Sequence, residues 1–105
     1  MSENNPIFAT IEQQIKQDDV VLYMKGNAKF PQCGFSAATI DALNHFEVKF
    51  KEYNILLDPE LRQGIKDYSQ WPTIPQLYVN EKLIGGSDIL LEMYESGELK
   101  ELFEK

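Results

Sequence analysis

Apolar residues recur along the chain in runs that alternate between helical and extended spacing. Ile7, Ile11 and Ile15 lie four apart, and Asn5-Pro6 precedes them, so the spacing predicts an amphipathic helix that ends near Asp18. Val20-Val21-Leu22-Tyr23-Met24 is a continuous apolar run that starts with β-branched residues, and it reads as a buried, parallel strand. A loop from Gly26 to Gln32 follows. Beyond Cys33-Gly34 a helical pattern runs through Phe35, Ala38, Ala42 and Phe46. A second strand covers roughly Lys49 to Ile55, with Phe50 and Tyr53 facing inward.

Asp58-Pro59 marks the next helix start, with Asp58 as the cap and Pro59 in the first helical position; Leu61, Ile65 and Tyr68 give that helix its apolar face. Gln76-Leu77-Tyr78-Val79 and Lys82-Leu83-Ile84 flank the two-residue connection Asn80-Glu81 and read as a β-hairpin. Gly85-Gly86 breaks the second of these strands. Ser87 or Asp88 then caps a helix through Ile89, Leu90 and Met93, and Gly97 divides it from a last short helix, Glu98 to Phe103. The order is α-β-α-β-α-β-β-α-α. A helical crossover makes the first two strands parallel and the hairpin makes the last two antiparallel, so the fold is α/β. It is a central four-stranded mixed sheet with helices on both faces, the layout of the thioredoxin fold.

The 105 residues fit one domain spanning the chain, and 43% of them are hydrophobic, enough for one core. The formal charge of -7 argues against nucleic acid as a partner, because phosphate binding needs concentrated Lys and Arg. An acidic surface suits basic partners, and equally a solvated surface with no preference. No apolar run approaches the roughly 20 residues that span a bilayer, and the N-terminus lacks a basic region followed by an apolar one. These features place the protein in the cytoplasm, or make it a mature organellar form without its targeting segment.

Cys33 is the single cysteine, so no internal disulfide staples the fold. It falls after a strand and loop and at the start of a helix, where unpaired N–H groups and the positive end of the dipole stabilise a thiolate. A free Cys is more often a small buried hydrophobe. Here Pro31 and Gly34 make the surrounding backbone loop-like, and the end of the first strand is where open α/β sheets place their sites. The third residue on is Ser36, not a second Cys, so a mixed disulfide at Cys33 needs an outside thiol to resolve it.

Lys25-Gly26, Pro31-Gln32-Cys33-Gly34-Phe35-Ser36, Trp71-Pro72-Thr73-Ile74-Pro75-Gln76 and Gly85-Gly86-Ser87-Asp88 closely resemble, in that order, the monothiol glutaredoxins with a Cys-Gly-Phe-Ser site. The likeness covers almost the whole chain and fits the single-domain bacterial type, glutaredoxin-4-like, or an excised domain of a longer one. It implies that two subunits share one [2Fe–2S] cluster, held by Cys33 of each and by the thiols of two bound glutathiones, and pass it to iron–sulfur apoproteins. A homodimer when cluster-bound and a heterodimer with a BolA-type protein are the implied assemblies.

For glutathione the resemblance implies Lys25, Arg62, Ile74, Ser87 and Asp88. Lys25 otherwise reads as a strand-end lysine and Arg62 as a solvent-facing helix residue, with Lys66 one turn further along as a possible addition to the local positive field. Only about 5% of X–Pro bonds are cis, so sequence alone predicts a trans bond before Pro75; the resemblance implies a cis one, with the backbone of Ile74 turned to the ligand. Many relatives carry Phe at the place of Ile74, and some a second Cys at that of Ser87. Ser87 and Asp88 serve equally as caps. Trp71 reads as packing or partner surface, and His45 as a surface helix residue.

Three functions compete. One is a cluster carrier. The second is a glutathione-dependent oxidoreductase that removes glutathione from protein thiols, and the third a redox-silent adaptor. The seven residues between Lys25 and Cys33 form a longer loop than in dithiol relatives, which favours cluster binding over turnover.

Overall fold

The computed structural model describes residues 6–103, and of Ser87 the backbone alone. Asn5, expected at the first helix start, lies outside the described residues. Strand β1 (Val20–Met24) is central: it pairs in parallel with β2 (Lys51–Asn54) on one side and antiparallel with β3 (Gln76–Val79) on the other. β3 in turn pairs antiparallel with β4 (Lys82–Gly85), giving the sheet order β2-β1-β3-β4. Flanked on both edges and both faces, β1 buries all five residues, which is why its sequence is continuously apolar.

Successive side chains of these strands enter two cores. Val20, Leu22, Met24, Leu77 and Val79 enter one, where α2 (Gly34–His45), α4 (Ser87–Ser96) and α5 (Glu98–Phe103) add Ile40, Leu43, Leu90 and Leu99. Val21, Tyr23 and Tyr78 enter the other, which α1 (Pro6–Gln17) and α3 (Pro59–Ser69) close with Ile11, Ile15, Leu61 and Ile65. The thioredoxin-type layout expected from the pattern is therefore the one observed. Among the described residues no helix is long and apolar enough to cross a membrane.

Local signals act as their chemistry dictates. Asp58 accepts from the Leu61 N–H at 3.1 Å and Pro59 follows at the first helical position. Asn80 and Glu81 both have positive φ, 50° and 71°, as a two-residue hairpin turn requires.

Three readings need correction. β2 is shorter than expected: Lys49 and Phe50 precede it, and Ile55 is buried in a single 3-10 turn, Ile55–Leu57. Phe50 packs on the first core and Tyr53 on the second, so both are inward but on opposite faces. The buried face of α2 is Ser36, Thr39, Ile40 and Leu43, together with Ala42, whereas Phe35 is 57% exposed. The cap of α4 is Gly86, not Ser87 or Asp88, which occupy its first turn.

Candidate functional site

Cys33 is the N-cap of α2, in extended backbone, and its carbonyl accepts from the Ala37 N–H at 2.9 Å. Its side chain is half-buried and not sealed in apolar packing. The thiol is held below its ordinary pKa first by the backbone N–H of Ser36. Partial burial opposes this, while the Phe35 N–H, the charge of Lys25 and the Ser36 hydroxyl add to it.

The loop ahead of Cys33 is pinned. Gly26 donates to Asn54 Oδ1 at 3.0 Å, Gln32 donates to the Lys25 carbonyl at 2.9 Å, and the Ala28 N–H donates to a Glu52 carboxylate oxygen. Asn27 Oδ1 accepts from the N–H groups of Lys29 and Phe30 at 3.0 and 2.8 Å, and Gly26 bridges to Pro31. Gly26 has φ +90°, and a Cβ there would lie 2.5 Å from the Phe30 carbonyl oxygen, so the turn requires glycine.

Beside Cys33 opens a cleft of about 360 Å³. Lys25 comes from the end of β1, Lys66 from α3 and Asp88 from the first turn of α4, so two cations and one anion face it together with Phe35, Thr73 and Ile74. The β1–β3 register explains two of these. It pairs Tyr23 with Gln76, and continued by two residues it sets Lys25 opposite Ile74, beyond the point where Pro75 has no N–H to donate. The Ile74–Pro75 bond is cis, as the resemblance implied. The Ile74 side chain packs in the second core, which leaves its main chain as the part available to a ligand.

Arg62 is exposed and does not line the cleft; Lys66, one turn further, is half-buried and does. The Ser87 side chain lies outside the description, while its backbone opens α4, where the first N–H groups have no partner within the helix. Sequence reasoning missed Phe35 as a lining residue because an aromatic at helical spacing reads as core. His45 sits at the far end of α2 from Cys33, against Phe46 and Tyr94 at 4.9 and 5.5 Å between ring centroids. No group of three His, Cys, Asp or Glu side chains among the described residues is arranged to hold a metal ion.

Comparison with known proteins decides the family. Residues 20–84 match the glutaredoxin family profile. The chain is 50% identical over 98 residues to a protein of Rickettsia conorii named probable monothiol glutaredoxin 2, covering 93% of this chain and 92% of that one. The chain belongs to the monothiol glutaredoxins.

The mitochondrial monothiol glutaredoxin-5 of Saccharomyces cerevisiae is 56% identical over 98 residues, 90% of this glutaredoxin, which spans 65% of the yeast protein's length. Among solved structures, reduced apo GrxS14 of poplar in solution superposes with a TM-score of 0.83 at 44% identity, over 99% of this chain and 95% of that one. Membership gives this glutaredoxin a glutathione-related role. With Cys33 its single cysteine, a mixed disulfide formed there is broken only by a thiol from outside the chain.

Proposed function

We propose that this glutaredoxin carries a [2Fe–2S] cluster as cargo between two copies of the chain and delivers it to iron–sulfur apoproteins. The observation that carries the reading is a single thiol, kept towards its thiolate form at a helix N-terminus, on the wall of a cleft whose charges complement glutathione. Iron–sulfur clusters take soft thiolate ligands, typically four. Each chain supplies one through Cys33, so two chains leave two positions for the thiols of two glutathiones.

The cleft suits that tripeptide, which has two carboxylates and one ammonium. Its volume lies in the range of small-ligand sites. Lys25 and Lys66 attract the carboxylates, with Arg62 close enough in sequence on α3 to extend the positive field. The main chain of Ile74 serves the cysteinyl part. The N-terminus of α4, with Ser87 and Asp88, serves the γ-glutamyl end, since helix N–H groups bind carboxylate and Asp88 accepts from ammonium. A BolA-type protein is the proposed alternative to the second copy, and the cytoplasm the proposed compartment.

The test is anaerobic reconstitution with iron and sulfide, with and without glutathione, following visible absorption, circular dichroism and molecular size. The expected product is a coloured dimer that forms only with glutathione and is lost in Cys33→Ser. A colourless monomer with glutathione and iron present overturns the proposal.

The lowered thiol pKa also favours a second reading, in which the Cys33 thiolate attacks a glutathionylated protein and takes its glutathione. A second glutathione then restores Cys33 and leaves as glutathione disulfide. Robust turnover of a glutathionylated substrate by the cluster-free protein would put this reading first.

A further inference from the structure

Trp71 carries the one buried polar side-chain atom that lacks a hydrogen-bond partner among the described residues, its indole Nε1. Buried donors are nearly always paired, so an exception on the residue just before Pro72 and Thr73, which line the cleft, calls for a functional reason. The rest of this segment is firmly tied. The Trp71 N–H donates to Ser69 Oγ at 3.1 Å, and Gln76 Nε2 donates to the carbonyls of Trp71 and Thr73 at 2.9 and 3.2 Å. Gln76 itself is fully buried, so the turn that carries Trp71 and Thr73 is anchored from beneath.

The space beside Gly86 supplies the second observation. A Cβ on Gly86 would lie 3.2 Å from the Pro75 carbonyl oxygen, 3.3 Å from Trp71 Nε1 and 3.7 Å from Thr73 Oγ1. An unpaired donor and a hydroxyl thus approach the same glycine, at the residue that caps α4. Of the two, the hydroxyl belongs to a residue that faces the cleft, and Thr73 is exposed.

We propose that Trp71 is a positioning residue for glutathione and acts through Thr73. When the carboxylate at the γ-glutamyl end of the tripeptide accepts the Thr73 hydroxyl proton, Thr73 Oγ1 accepts in turn from Trp71 Nε1–H. A hydroxyl that donates to an anion is the better acceptor, so the two bonds strengthen each other. The ligand thereby gives the indole the partner it lacks in the free protein and fixes the Trp71–Thr73 turn against the start of α4. This rests on the reading of the cleft as the glutathione site.

Trp71 is the only tryptophan, so its indole N–H resonance is unambiguous. On titration of the full chain with reduced glutathione, that proton is expected to move downfield and exchange more slowly, with the same midpoint as the Asp88 amide. Thr73→Val is expected to abolish the indole shift and weaken binding about three- to tenfold, the usual worth of one hydrogen bond. Thr73→Ser keeps both, and Trp71→Phe weakens binding by a similar factor. Movement of the Asp88 amide with a stationary indole, or an equal indole shift in Thr73→Val, overturns the proposal while leaving glutathione in the cleft. If neither resonance responds, the cleft is not the glutathione site and both readings fall.

Discussion

The buried hydroxyl of Ser36 accepts a hydrogen bond from the backbone N–H of Lys25 at 3.3 Å. This bond ties the end of β1 to the first turn of α2 across the loop that precedes Cys33. The same hydroxyl adds the smallest of the influences that hold the Cys33 thiol below its ordinary pKa, the backbone N–H of Ser36 being the largest, so one residue bears on both the position and the charge of the sulfur. In Ser36→Ala the thiol pKa is expected to rise towards, but not reach, its ordinary value, because the N–H groups of Ser36 and Phe35 remain. Alkylation rate against pH measures this. Leaving the Lys25 N–H unpaired should also cost about 1–3 kcal/mol in denaturant unfolding.

Stability should depend on pH through Cys33. Its pKa is lower in the folded chain than in the unfolded one, where a thiol titrates near 8.5. Between the two values the unfolded state binds more protons, so stability rises with pH. The contribution is complete above the ordinary thiol value and is lost as pH falls through the folded one. The difference between wild type and Cys33→Ser in denaturant midpoint should follow this curve; a flat difference across neutral to alkaline pH contradicts it.

Lys66 lines the cleft and Arg62 does not, so the proposed glutathione site ranks their contributions to affinity. Lys66→Ala is expected to weaken binding roughly tenfold or more, as for a hydrogen bond to a charged group, and Arg62→Ala by less. Calorimetric titration of both variants with reduced glutathione checks the order.

Gly26→Ala sets a Cβ against the Phe30 carbonyl oxygen at a residue with φ +90°. The expected loss is about 2 kcal/mol or more in unfolding free energy, from backbone strain and the forced shift of the loop. Because this loop leads into Cys33, thiol alkylation at neutral pH should change as well.

Asp58→Ala removes the α3 cap and is expected to cost about 1 kcal/mol. Asp58 lies outside the cleft, so the thiol pKa should stay as it is. A matched drop in stability and thiol acidity would mean that α3 and the site are coupled more tightly than their contacts indicate.

Much of this architecture is legible in the sequence because local chemistry and burial agree there. β1 has the boundaries of its apolar run, Asp58-Pro59 opens α3, and Asn80-Glu81 turns the hairpin. The face of α2 was misread because two of its buried residues are polar. Thr39 donates its hydroxyl to the Phe35 carbonyl at 3.0 Å, and Ser36 bonds to Lys25, so both can be buried while Phe35 stays outside at the cleft. No periodicity can show that exchange. The α4 cap was misread because Ser and Asp are strong capping residues, yet the tight space beside Gly86 assigns that position to glycine.

The sheet order leaves β2 and β4 as its margins, four residues each, with Lys51 and Glu52 on one and Lys82 on the other. Short, charged margins make poor templates for a foreign strand. Copies of the chain that meet in solution therefore find no long backbone ladder along which to zip into aggregates.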